Sequence, residues 1–282
     1  MSEKETHKHK STYYNDIALR LAHKLFGVEH LHYGFFTGNQ KWTLDDVPAA
    51  QAAYVKNLLT YVPKDVKEIF DVGCGSGGVA RQLINKKYRV ICLAPDPYLI
   101  QKTLDQTDGR VGTITDLYEN VQDVTPESFD MILMSESCQY IKVKEGWQQN
   151  SKFLRSGGYV LVADFFKIRE IDRKGVSKSG HRLSDFLQEA EVNGFRLLKK
   201  VDITKQIAPT MDIYQEIILD KIFPVFEAIF ELVSRRYPII YRILRSLFGK
   251  KVGELKEKYS NQGAEIFQKY KGYYILLFKK IS

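Results

Sequence analysis

One stretch constrains this chain more than any other, Glu68 to Gly78, which reads EIFDVGCGSGG. An apolar run (Ile69, Phe70, Val72) carries an acid near its end, Asp71. It passes at once into a turn holding Gly73, Gly75, Gly77 and Gly78. Val79, Ala80, Leu83 and Ile84 then recur at helical spacing. Glycines at such a turn accept backbone conformations closed to other residues and let the main chain approach a ligand, while the helix that follows presents free N–H groups. Strand, glycine turn and helix in this order specify an α/β layer with a ligand at the carboxyl edge of the sheet. A dinucleotide site would use GxGxxG. Here the spacing is Gly73-x-Gly75-x-Gly77 behind Asp71, and that acid suits a ligand with a positively charged amino acid moiety better than a pyrophosphate.

Further short apolar runs alternate with helical stretches: Arg89 to Leu93, Val111 to Thr115, Phe129 to Met134, Tyr159 to Asp164 and Phe195 to Ile203. With the first, these six predict a parallel, doubly wound sheet with right-handed crossovers. A last strand, Tyr273 to Lys280, lies far beyond the sixth, too far for a structureless connection. Pro209 to Tyr270 is therefore expected to be helical, broken into short helices by Pro224 and Pro238. Before the sheet, Tyr13 to Phe26 predicts a helix and His30 to Lys41 a loop. A second helix should run to Tyr61, capped by Thr43 or Asp45. The organisation expected is a disordered tail (1–12), a helical lid (13–62), an α/β core (63–208), a helical cap (209–270) and a last strand (271–282).

The chain has 282 residues, is 44% hydrophobic and carries 3 cysteines. Cys74, Cys92 and Cys138 form no CxxC pair, so neither a disulfide framework nor a metal site is expected, and His7 and His9 read as surface residues. No long uncharged apolar run occurs, and the polar start MSEKETHKHK predicts neither secretion nor a spanning helix, hence a cytoplasmic protein. The net charge of +8 is concentrated: no acid lies between Glu231 and Glu254, where Arg235, Arg236, Arg242, Arg245, Lys250 and Lys251 all fall.

The glycine motif resembles the first motif of class I S-adenosylmethionine-dependent methyltransferases. Phe129 to Ile141 (FDMILMSESCQYI) looks like the fourth strand and following loop of that superfamily, and Phe153 to Asp164 (FLRSGGYVLVAD) like its glycine turn and fifth strand. His32-Tyr33-Gly34 and Glu136-Ser137 are similar to the small-molecule subgroup that includes tocopherol, sterol, glycine/sarcosine and quinone-biosynthesis enzymes. The resemblance implies a Rossmann-like, seven-stranded, mostly parallel sheet with an antiparallel last strand. It also implies S-adenosylmethionine as cofactor, with Asp71, Gly73, Cys74, Gly75, Gly77, Ser135 and Glu136 around it.

The family's acid at the end of the second strand, which holds the ribose, is replaced here by Ala94. Asp96, two residues on, is assigned that role, against the reading that it starts a turn or caps a helix. Asp116 and Leu117 are the candidate adenine contacts, with an N-cap role for Asp116 equally open.

Methyl transfer from a sulfonium needs an aligned nucleophile and a dry site more than acid–base machinery. Where a base helps, Glu136, Tyr140 and His32 are the candidates, with His181 beside them. Tyr33, Phe36, His181, Ile217, Phe226 and Phe230 are expected to wall a small, apolar or aromatic acceptor.

The stripe in the helical insert can pack as core, dimerise the chain or enclose the acceptor. Its basic part, Arg235 to Lys251, suits peripheral contact with an anionic membrane, with a lipid or quinone acceptor as the alternative. An RNA methyltransferase would show N/D-P-P-Y or Pro-Cys after the fourth strand, where this chain has Ser135-Glu136-Ser137-Cys138, so no nucleic acid partner is expected. A noncatalytic cofactor-binding protein would have lost the glycine motif.

Overall fold

A computed structural model describes residues 32–38, 40–173 and 175–281. The tail at 1–12, the helix expected over Tyr13 to Phe26 and His30 lie outside the described residues.

Seven strands form one sheet: β1 (Glu68–Val72), β2 (Arg89–Leu93), β3 (Gly112–Ile114), β4 (Phe129–Ser135), β5 (Leu154–Lys167), β6 (Phe195–Asp202) and β7 (Lys271–Lys280), in the order β3-β2-β1-β4-β5-β7-β6. The pairs from β3 to β5 are parallel, and β7 runs antiparallel between β5 and β6. Strand order reverses between β1 and β4, the point where a doubly wound sheet opens a crevice at its carboxyl ends. This is the fold that the sequence pattern and the resemblance predict.

Alternation along the strands assigns each side chain to one of two cores. Ile69, Met131, Leu161 and Ile275 join Tyr54, Leu58 and Leu83 on one face of the sheet. Phe70, Ile132, Val160 and Phe278 join Trp147 and Phe153 on the other. Both faces of these strands are thus covered, as parallel sheets require. Two helices position the site: α1 (Val47–Leu59), which follows a 3-10 turn at Leu44–Asp46, and α2 (Gly78–Asn85). The Thr43 amide donates to Asp46 at the start of that turn, and α1 stops short of Tyr61.

Next come α3 (Pro97–Thr107), α4 (Val143–Phe153) and α5 (Leu183–Val192). The insert between β6 and β7 contains α6 (Thr204–Ile207), α7 (Pro209–Glu216), a π-helical turn (Ile217–Ile222), α8 (Phe223–Arg236), α9 (Pro238–Ser260) and α10 (Ala264–Tyr270).

Several details differ from expectation. β5 begins at Leu154 and ends at Lys167, because β7 extends its pairing to Lys167 opposite Lys271 while Gly157, at φ +74°, lets the strand bend through the glycine turn. β3 is shorter, Gly112–Ile114. Pro224 does not interrupt its helix: the π-helical turn directly before it widens the backbone where a proline ring would otherwise strike the preceding turn, and α8 continues. Pro238 does mark a break, as the first residue of α9.

Candidate active site

At the switch point, β1 delivers Asp71 and the chain turns through Gly73, Gly75 and Gly77, all three in the left-handed region, at φ +80°, +58° and +87°. The amides of Gly73 and Cys74 both donate to the Leu93 carbonyl at 2.7 and 3.1 Å, pinning the loop to the end of β2. The three glycines serve different ends. A Cβ on Gly73 would collide with the Ser137 side chain, and one on Gly77 would lie 2.8 Å from Thr103 Cα of α3, so these two are packing glycines. Gly75 would meet nothing within 4 Å: it borders open space.

That space is a cleft of about 670 Å³. Asp71, Gly73, Cys74, Gly75, Asp96, Leu117, Ser135 and Glu136 line it, together with His32, Tyr33 and Tyr140. Distant parts of the chain are thereby brought to one edge of the sheet. Asp71 is buried, and its Oδ2 has no hydrogen-bond partner. Burial alone pushes its carboxyl up to about 7. A buried acceptor without a donor is costly, and an orphan at a cleft is a place for a ligand's donor.

Glu136 stands opposite, at the end of β4, in the left-handed region at φ +57°. Its Oε1 accepts from the Tyr33 amide at 2.8 Å and from the Tyr273 hydroxyl at 3.0 Å. Burial pushes its carboxyl up to about 8, against the Tyr33 and Tyr273 hydrogen bonds and with the help of Asp164. The Tyr273 hydroxyl lies 2.8 Å from that of Tyr54, which in turn lies 2.9 Å from Ser135 Oγ. His32 stacks on Tyr54 with centroids 4.8 Å apart, and Tyr140 stands open to solvent at the cleft mouth.

Tyr54, Tyr273 and Asp164 were not among the sequence candidates. Asp164 is fully buried, accepts from the Gln139 and Phe165 amides, and ties the loop after β4 to β5. Its signal in the sequence was an acid at the end of an apolar strand; the tyrosines gave none, being aromatic residues within apolar patterns.

Other candidates lie elsewhere. Gly77 faces α3 rather than the cleft. Asp96 caps α3, its Oδ1 accepting from the Tyr98 amide at 2.9 Å, while still bordering the cleft. Asp116 is outside the lining; its Oδ1 accepts from the Leu117 amide at 2.7 Å, which also occupies the main-chain N–H expected to meet an adenine.

His181 is set behind the loop, its Nε2 2.9 Å from the carbonyls of Cys138 and Ile141. Phe36 and Ile217 are buried in a small separate core with Val47, Ala50 and Ile213. Phe226 and Phe230 sit on α8, whose one buried residue is Phe223, and neither lines the cleft; Phe226 is 54% exposed. Among the described residues no His/Cys/Asp/Glu group could hold a metal ion.

Residues 70–160, which span the glycine turn, the switch point and most of the strands that form the cleft, match the protein family described as Methyltransferase domain. Over these residues the chain is similar to a methyltransferase domain. A probable tocopherol O-methyltransferase of Oryza sativa subsp. japonica is 38% identical over 64 residues, covering 21% of this chain and 18% of that protein. The chain spans at most about half the length of the curated relatives it matches.

Among solved structures, the cyclase SpnF superposes with a TM-score of 0.69 at 16% identity, covering 97% of this chain and 96% of that one. Geranyl diphosphate C-methyltransferase from Streptomyces coelicolor A3(2), in a complex containing S-adenosyl-L-homocysteine, superposes with a TM-score of 0.64 at 14% identity, with 97% of each chain covered. These likenesses concern the fold alone, the sheet together with the insert. A fold shared by a cyclase and a methyltransferase leaves the reaction to be argued from the site.

Proposed function

We propose that this chain transfers a methyl group from S-adenosylmethionine to a small, apolar or aromatic molecule. The observation that carries this reading is Asp71 Oδ2, buried and unpartnered beside a glycine turn whose middle glycine faces open space. That donor set fits the cofactor: a carboxylate for its amino group, and a backbone without side chains along its length. The bound cofactor supplies an activated methyl group on a sulfonium.

The protein's own residues bind and orient. Asp71 holds the amino group, Asp96 borders the place for the ribose, and Leu117 covers the purine. Tyr33 and His32 close the cleft against water. Glu136, whose proton is held near neutral pH, serves as base when the acceptor is a hydroxyl or a carbon beside one. In this reading residues 13–62 act as lid, 63–208 with 271–282 as the cofactor-binding core, and 209–270 as cap.

Calorimetry tests it. The protein should bind S-adenosylmethionine and S-adenosylhomocysteine, and Asp71→Ala should abolish both while remaining folded. Undiminished affinity in that variant, or tight binding of NAD by the parent, overturns the assignment.

A second reading concerns where the acceptor resides. α9 has no buried residue; Ile239, Ile243 and Leu247, spaced four apart, are 72%, 54% and 67% exposed, and Arg235, Arg236, Arg242 and Arg245 lie along the same hairpin. An apolar stripe flanked by cations favours peripheral contact with an anionic membrane over a solvated face, which would place lipids or quinones within reach. None of the described helices is long and apolar enough to cross a membrane. Flotation with vesicles containing phosphatidylserine should show salt-sensitive binding that is lost on neutralising the four arginines. No binding at low salt, with a dimer in light scattering instead, would assign the stripe to self-association.

A further inference from the structure

A second cavity adjoins the cleft. Tyr33, Phe165 and Ser179 line both, and beyond them the second is walled by Met211, Phe267 and Lys271. Lys271, the first residue of β7, is 6% exposed. Its Nζ donates to Ser179 Oγ at 3.2 Å and lies 4.4 Å from the centroid of the Phe165 ring. Ser179 Oγ is in turn 2.8 Å from Ser177 Oγ.

The environment of this ammonium is unusual. Lys271 stands directly opposite Lys167 in the β5–β7 pair, so two like charges share one face at cross-strand distance. Such pairs are destabilising, and a buried cation ordinarily has an anionic partner. Neither lysine makes an ion pair with a described residue. The hydroxyls and the ring around Lys271 satisfy it only in part: burial and Lys167 push it down to about 8, against the pull of Asp164. The protein thus holds a desolvated cation, with hydroxyls beside it and apolar walls around it, in a cavity that shares Tyr33, Phe165 and Ser179 with the cleft.

We propose that this cavity is a binding subsite for an apolar organic anion, with its carboxylate or phenolate on Lys271 Nζ and the Ser179 hydroxyl and its apolar body against Phe165, Met211 and Phe267. As the substrate class of the methyltransferase, this rests on the proposed function. An acceptor anchored by its anionic end at Lys271 extends past Phe165 and Tyr33 into the cleft, where Glu136 stands. The anion offsets the Lys167–Lys271 repulsion, and the subsite discriminates against neutral molecules of the same shape.

The test is a series with one body and different head groups, trans-cinnamate, cinnamamide and cinnamyl alcohol, titrated calorimetrically into the full chain with and without S-adenosylhomocysteine. Wild type should bind cinnamate at least about tenfold more tightly than the two neutral analogues, and cinnamate should raise the thermal midpoint. Lys271→Met should erase the preference. Ser179→Ala, a milder change, should reduce it about threefold and decides the matter should Lys271→Met fail to fold. Equal binding of the three molecules, no binding of cinnamate at millimolar concentration, or a preference untouched in both variants overturns the subsite. S-adenosylhomocysteine titrated into the same samples reports separately on the cofactor reading, so the two can fail independently.

Discussion

The Tyr273 hydroxyl, in the antiparallel strand β7, donates to Glu136 Oε1 at 3.0 Å, joining residues 137 positions apart at the carboxyl edge of β4. The bond holds the carboxylate against the cleft and offsets part of its desolvation. Tyr273→Phe removes the donor and leaves the ring in place. Glu136 should then protonate more readily, and the ascending limb of the pH profile of product formation should move to higher pH. Denaturant titration should show a loss of about 1 kcal/mol, the usual worth of one hydrogen bond.

With Asp71 as the proposed anchor of the cofactor's amino group, cofactor affinity should depend on pH. Its carboxyl titrates near 7 in the free protein, and a cationic ligand group selects the ionised form. Affinity for S-adenosylhomocysteine should therefore rise by close to tenfold per pH unit up to about pH 6.5 and flatten above 7. Calorimetry in buffers of different ionisation enthalpy should register a proton released on binding below pH 7.

The same burial affects folding. Asp71, Glu136 and Asp164 are pushed up to about 7, 8 and 6, so the native state keeps protons that the unfolded chain gives up near its ordinary carboxylate values. Between about pH 4 and pH 8 the unfolded state binds fewer protons than the native one, and the stability of the ligand-free protein should fall as pH rises. Denaturation midpoints measured across that range check the slope. Asp71→Asn should make it shallower and gain roughly 1 to 3 kcal/mol at pH 8.

The glycines of the turn should separate by readout. Gly77→Ala meets both a left-handed backbone and Thr103 Cα at 2.8 Å, and should lower the thermal midpoint strongly. Gly75→Ala meets only the backbone cost, about 1 to 2 kcal/mol, and should act mainly on cofactor affinity because its Cβ enters the cleft. Equal stability losses would show that the two positions do not differ in packing.

The sheet was legible because its evidence is local. Strand runs, the glycine turn and the acid of Asp71 lie within a few residues of one another, and alternation fixes which side faces which core. Asp71, Gly75, Ser135 and Glu136 were legible at the cleft for the same reason: each ends a strand or opens a turn at its carboxyl edge. The Tyr54–Tyr273–Glu136 chain was not, because it unites three distant segments and tyrosines read as core in any apolar pattern.

Phe226 and Phe230 were assigned to a wall by size and position in the insert. Whether a helix stripe turns inward or outward depends on how the insert packs, which the period cannot tell. Asp96 shows the opposite ambiguity, since one carboxylate can cap a helix and border a cleft together.

The placement of β7 affects the order in which the protein can be assembled. β6 has a single neighbour in the sheet, β7, and residues 203–270 intervene between them. While the chain emerges from the ribosome, β6 cannot pair until the whole insert has been made. Until then β5 presents one long open edge that includes Tyr159 to Phe166, apolar except for Asp164. Such an edge recruits strands from other chains. Slow synthesis through the insert should therefore favour aggregation, and chaperones that shield strand edges should raise the yield of this protein more than helix-stabilising conditions do.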